Sequence, residues 1–107
     1  MRTKFSNQEL RVFLVGEIDH WSIKELIHAI TQQIDCCKPV KCVLDFQSVD
    51  FMDESGIAMI INILRSMVRI EGTLELTNLN NQPMHVLRAS GVDKLVSIED
   101  RLDINKL

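Results

Sequence analysis

Two apolar periodicities alternate along this chain, and their order leaves few folds open. Leu10-Arg11-Val12-Phe13-Leu14-Val15-Gly16 is rich in residues that favour extended backbone and reads as a strand. Residues 22–37 switch period. Ile23, Leu26, Ile27, Ile30, Ile34 and Cys37 recur at offsets of three and four, which builds one apolar helix face. Cys42-Val43-Leu44-Asp45-Phe46 reads as a short buried strand, 53–70 as a second helix, and Thr73-Leu74-Glu75-Leu76-Thr77 as an alternating strand. A third helix is expected over 83–90, with Pro83 near its first turn and Gly91 just past its end. Val96-Ser97-Ile98 reads as a last short strand, and 102–107 as a stub of helix. Strands that alternate with helices are joined by crossovers and pair in parallel. A weaker strand near 2–6, turning through Asn7-Gln8-Glu9, adds an antiparallel hairpin. The expectation is an α/β chain with a mixed sheet of four to five strands and helices packed against it.

The helix boundaries carry local signals. Ser22-Ile23-Lys24-Glu25 has the form of a capping box, and Pro39 closes that segment. Trp21, just before Ser22, reads as a hydrophobic staple. Asp53 is a candidate N-cap for the second helix, and Gly72 stands in a usual stop position. In that helix Ile57, Ile60, Ile61, Leu64 and Val68 form the apolar stripe, widened by Met59, Ile63 and Met67.

Composition narrows the function. A chain of 107 residues fits one domain over 1–107. At 46% hydrophobic residues it has the means to build a core. Twelve basic residues against fifteen acidic give a net charge of −3, the wrong sign for a general nucleic-acid binder. No apolar run approaches the roughly 20 residues of a membrane span, so no membrane insertion is expected. The first residues lack a signal-peptide core, which points to the cytoplasm. Cys36, Cys37 and Cys42 form neither an even set nor a C-x-x-C pair, so they read as small buried hydrophobes rather than disulfide or metal ligands. His28 and His85 have no metal-like companions. No cofactor motif is present: there is no P-loop and no dinucleotide glycine pattern.

The topology says where a site belongs. Parallel strands ending near Gly16 and Phe46 present their C-terminal ends at one sheet edge, which is where sites of open α/β sheets gather. The loop 17–21, with Asp19, His20 and Trp21, then lies near the loop 50–55, with Asp53, Glu54 and Ser55. Ser55 falls in a helix's first turn, on a face shared with Ala58, Asn62, Arg65, Ser66 and Arg69, and is expected to point to solvent. Gly56 beside it leaves room for another backbone. A Ser after an Asp at a helix start is also ordinary capping chemistry. A hydrolase would need G-x-S-x-G or a base and an oxyanion site, and neither appears.

Leu14-Val15-Gly16-Glu17-Ile18-Asp19-His20 resembles the G-E-[LI]-D segment of STAS domains. Val43-Leu44-Asp45-Phe46 with Val49-Asp50-Phe51-Met52-Asp53-Glu54-Ser55-Gly56-Ile57 resembles their phosphorylation-site segment. Residues 86–95 look like their third helix and following turn. The match runs in register over about 10–98 and is nearest to the small bacterial anti-sigma factor antagonists. The resemblance implies the STAS fold and a binding switch, not an enzyme. The unphosphorylated antagonist would bind an anti-sigma factor that is also a serine kinase, and so release the sigma factor. Phosphorylation of Ser55 would end that, and a metal-dependent serine phosphatase would reverse it. The implied partner surface is Asp19, His20, Trp21, Asp53, Glu54, Ser55, Gly56, Ala58 and Asn62. Glu54 stands where close relatives often carry a small hydroxyl residue. The alternative is another STAS role: a regulatory scaffold, or an accessory subunit of a membrane transporter.

Overall fold

The structure, a computed structural model, describes residues 1–99. Its first two strands, β1 (Arg2–Ser6) and β2 (Glu9–Ile18), form an antiparallel hairpin. The two-residue turn places Asn7 and Gln8 at φ 51° and 62°. That left-handed pair is the geometry whose twist matches the flanking strands. The Gln8 carbonyl accepts the Val40 N–H at 2.8 Å, which ties the hairpin to the start of the third strand.

Three crossovers follow. Helix α1 (Ile23–Cys37) leads to β3 (Lys41–Met52), α2 (Glu54–Arg69) to β4 (Thr73–Thr77), and α3 (Asn81–Ser90), through a short 3-10 turn (Val92–Lys94), to β5 (Ser97–Glu99). The sheet order is β1-β2-β3-β4-β5, parallel everywhere except β1. This is the mixed α/β sheet that the alternating periodicities require, with five strands and three α-helices among the described residues. The expected helical stub at 102–107 lies outside the described residues.

Successive right-handed crossovers in one direction lay all three helices on one sheet face. Leu10, Val12 and Leu14 of β2, Cys42, Leu44 and Phe46 of β3, and Leu74 and Leu76 of β4 meet Ile30 and Ile34 of α1, Met59, Ile60 and Ile63 of α2, and Leu87 of α3 in one core. No helix among the described residues covers the opposite face, yet Val43 is only 1% exposed there. Its neighbours seal it. Arg11 and Glu75 lie across the ladder, Lys41 and Asp45 two residues along. Arg11 pairs with Asp45 at 3.1 Å and Lys41 with Glu75 at 2.7 Å. The Arg11 and Lys41 side chains keep partial contact with water while the carboxylates they pair with are largely buried, so the two ion pairs enclose the valine.

Several local expectations change. Strand β3 runs to Met52, well past Phe46, because its second half still pairs with β2 through two register shifts. Ser22 makes no side-chain cap bond and holds helical backbone angles, so there is no capping box. Trp21 is 83% exposed and staples nothing. The centre of the buried stripe on α2 is Met59, Ile60, Ile63 and Met67, while Val68 is exposed. Of the cysteines only Cys42 is buried; Cys36 is exposed and Cys37 half-buried. The left-handed residue after α2 is Glu71, not Gly72. Gly72 serves close approach instead: a Cβ there would stand 2.9 Å from the Val40 carbonyl oxygen.

Candidate functional site

At the end of β2 the chain must turn into α1, and Asp19 makes that turn. Its Oδ1 accepts the N–H groups of Trp21 and Ser22, each at 3.1 Å, and the Ser22 hydroxyl at 3.2 Å. The Asp19 carbonyl accepts the Ile23 N–H at 3.1 Å. Asp19 therefore does the capping that Ser22 does not, and its side chain is spent on its own loop. The turn projects His20 and Trp21 outward, with their rings 4.6 Å apart.

The second loop, between β3 and α2, is bound to the first. The Asp53 N–H donates to the Ile18 carbonyl at 3.1 Å. Asp53 has extended backbone angles and its Oδ1 accepts the Ser55 N–H at 2.8 Å, the N-cap expected of it. Its carbonyl accepts the Gly56 N–H at 3.0 Å. Ser55 sits in the first turn of α2, half-buried rather than fully exposed. No hydrogen bond from the described residues engages its hydroxyl. Two carboxylates, Asp53 and the exposed Glu54, flank it at the positively polarised helix end.

Gly56 is buried beneath the Met52 side chain, and a Cβ at this position would overlap the Met52 Cγ and Sδ. What approaches closely is a thioether, not a backbone. Ala58 and Asn62 lie exposed farther along α2, and the Asn62 amide donates to the Ala58 carbonyl at 2.9 Å. Glu54 and Ile57 form one wall of a groove of about 320 Å³ whose other wall is His85, Val86 and Ala89 of α3. The structure thus brings Asp53, Glu54, Ser55 and Gly56 together at one helix start, and joins the strand end that leads into the Asp19–Trp21 loop to it through the β2–β3 ladder and the Asp53–Ile18 main-chain bond.

Two residues outside the sequence-based set also hold this site. Strand β4 pairs with β3 only over Lys41–Asp45, so no strand among the described residues lies beside the rest of that β3 edge. The segment after β4 supplies side-chain amides instead. Asn80 Nδ2 donates to the Val49 carbonyl at 2.9 Å. Gln82 Oε1 accepts the Met52 N–H at 2.7 Å, and its Nε2 donates to the Met52 carbonyl at 2.9 Å. The run Asn80-Asn81-Gln82 is a visible cluster of amides in the sequence. Its partners lie thirty residues away, so spacing alone does not reveal them.

Deeper on the sheet face opposite the described helices, Asp45 is 5% exposed. Burial pushes its carboxyl up, but bonds from the Gln47 N–H, the Asn78 amide and Arg11 outweigh that and hold it below the usual carboxylate value. Among the described residues no group of three or more His, Cys, Asp or Glu is placed to hold a metal ion. No helix among them is long and apolar enough to cross a membrane.

Comparison with known proteins agrees with this architecture. The structure resembles the Bacillus anti-sigma factor antagonist SpoIIAA in its unphosphorylated form, with a TM-score of 0.82 at 20% identity over 98% of this chain and 90% of that one. It resembles a putative anti-sigma factor antagonist from Thermotoga maritima, with a TM-score of 0.85 at 19% identity over 98% of this chain and 88% of that one. The STAS domain of a SulP transporter from Vibrio cholerae follows, with a TM-score of 0.71 at 15% identity over 92% of this chain and 77% of that one. At such identities the likeness is one of fold. The STAS domain family model matches residues 1–104, nearly the whole chain, and with the five-stranded sheet and three helices it places this chain in the STAS domain family.

Proposed function

We propose that this chain is a binding switch without catalytic activity of its own, an anti-sigma factor antagonist that works in the cytoplasm and is controlled at Ser55. Unphosphorylated, it docks on an anti-sigma factor that is also a serine kinase, and the sigma factor held there is released. The docking surface is Asp19, His20, Trp21, Asp53, Glu54, Ser55, Ala58 and Asn62, with Gly56 buried beneath it. The kinase transfers the terminal phosphoryl group of ATP to the Ser55 Oγ, the hydroxyl proton is lost, and ADP leaves. A metal-dependent serine phosphatase hydrolyses the phosphoester and resets the switch.

The observation that carries this reading is Ser55 itself, whose hydroxyl is engaged by no described residue, in the first turn of α2 beside Asp53 and Glu54. Phosphate brings about −1.5 to −2 charges. A helix N-terminus ordinarily receives such charge on free N–H groups, but here those of Ser55 and Gly56 already bond Asp53. The phosphate therefore meets two carboxylates at a helix end where two of the N–H groups are already taken. A partner that has desolvated this patch is opposed by repulsion, and each 1.4 kcal/mol lost lowers affinity about tenfold. The fold shared with antagonists that include SpoIIAA supports the same reading.

The test is capture from native lysate on unmodified chain and on Ser55→Glu side by side, with phosphosite mapping of the native protein. The expected result is a serine kinase on the unmodified bait, weaker on Ser55→Glu, retained on Ser55→Ala, and phosphate at Ser55. Equal kinase affinity for phosphorylated and unmodified chain overturns the switch. The fold shared with a SulP transporter's STAS domain favours a second reading, an accessory or scaffold role. Capture of a transporter subunit, with no phosphate at Ser55, would establish it.

A further inference from the structure

We propose that Gln82 is the positioning residue of the Ser55 site, a side-chain amide standing in for the strand that β3 lacks. In an extended strand the N–H and C=O of one residue point to the same edge. For Met52 that edge lies on the side of β4, beyond the last β3–β4 pair, Asp45 with Thr77. Both main-chain groups are met there by one amide, at 2.7 and 2.9 Å. A side-chain amide has the donor and acceptor geometry of a peptide group, so it closes the ladder as a neighbouring strand would.

The position of this clamp gives it a role beyond packing. Met52 is the last residue of β3, the next residue caps α2, and Ser55 is two residues further. The Met52 side chain also covers Gly56. Fixing the Met52 main chain therefore fixes three things together: the Asp53 carboxylate on the Ser55 N–H, the thioether under Gly56, and the aim of the Ser55 hydroxyl. On the other edge, the Asp53 N–H is held by the Ile18 carbonyl. With Gln82 in place the loop is pinned from both sides. Gln82 lies in the first turn of α3, one wall of the groove that starts at Glu54, so the clamp also links that wall to the Ser55 loop. The role in switching rests on the reading of Ser55 given above; the role in holding the loop does not.

The experiment compares wild type, Gln82→Ala and Gln82→Glu, each labelled with nitrogen-15. It reads amide hydrogen exchange, the amide resonances of residues 53–56, and Ser55 phosphorylation by the kinase captured on the unmodified chain. In Gln82→Ala the Met52 amide should exchange at least about tenfold faster while that of Leu44, inside the ladder, keeps its protection. The resonances of 53–56 should shift, and phosphorylation should slow with the unfolding midpoint little changed. At neutral pH Gln82→Glu keeps the acceptor for Met52 N–H but turns a carboxylate on the Met52 carbonyl. Protonation restores one donor and one acceptor, so its 53–56 resonances should approach those of wild type at the same pH as the pH falls through about 4.3, the ordinary glutamate value. Unchanged Met52 exchange in Gln82→Ala overturns the proposal. So does exchange that rises equally at Leu44, which signals general loosening. A loosened loop phosphorylated at the wild-type rate overturns the switching role and leaves the reading of Ser55 standing. A wild-type chain that captures no kinase removes that reading, and the switching role with it, while the exchange data still decide who holds the loop.

Discussion

Asp45 shows how much one side chain can be asked to do. It accepts hydrogen bonds from Arg11, Asn78 and the Gln47 N–H on the sheet face opposite the three described helices. Asp45→Ala leaves those donors without a partner and should cost about 2 kcal/mol in urea unfolding at pH 7. The carboxyl titrates below its ordinary value of 3.8 in the folded chain. Its contribution is therefore complete above that pH and fades as pH falls through the lower folded value. The stability gap between wild type and Asp45→Asn should be flat from pH 7 to about 4 and narrow below it. A gap that narrows between pH 7 and 5 would assign the effect to another group. The thiols make a second contrast. Burial, aided by the charge of Glu9, pushes Cys42 up to about 12, while Cys36 is exposed. A thiol reagent at pH 8 should modify Cys36 in the native protein and reach Cys42 only as the chain unfolds.

Among the elements, α1 is the one whose start is built differently from its sequence pattern. Ser22 and Glu25 have capping-box spacing, but Asp19 holds the N–H groups of Trp21 and Ser22. Asp19→Ala should cost about 1 kcal/mol in chemical denaturation, Ser22→Ala less, and Asp19→Asn little, since its amide oxygen still accepts. Equal losses at 19 and 22 would restore the capping box. The case shows what is legible locally. Periods of two and 3.6 report which residues face a core, so β2, α1, α2 and β4 could be read to within a few residues, as could the Asp53 cap. Where a cap competes with a turn three residues earlier, spacing cannot choose between them. The extension of β3 to Met52 was hidden for another reason. Its far half alternates irregularly across two register shifts, and one edge is completed by side chains from residues 80 and 82. The centre of the α2 stripe depends on the sheet beneath it, which is why Val68, apolar and at helical spacing, ends up in solvent.

For the whole molecule, one sheet face is covered by helices and the other by crossed ion pairs, so the C-terminal end of the parallel strands is left to present Trp21 and Ser55 together. Such a layout suits a switch that changes charge without changing shape. The Ser55 main-chain N–H is bonded to the Asp53 carboxylate, a contact that phosphate on the hydroxyl would not need to break, and the core beneath ends at Met52 and Gly56. Phosphorylation should leave the far-ultraviolet circular dichroism unchanged and move the unfolding midpoint by less than about 4 °C, the shift that ~1 kcal/mol gives a domain of this size. Trp21, the single tryptophan of the chain and 83% exposed, supplies the other half of the test. Its emission should be that of a hydrated indole in both forms of the free protein. It should shift to the blue when the kinase docks on the unmodified chain, because an aromatic side chain this exposed becomes an anchor once a partner covers it. The phosphorylated chain at the same kinase concentration should show no shift. A phosphorylated form with an altered fold would make refolding the switch. A blue shift equal in both forms would mean that docking ignores the charge at Ser55.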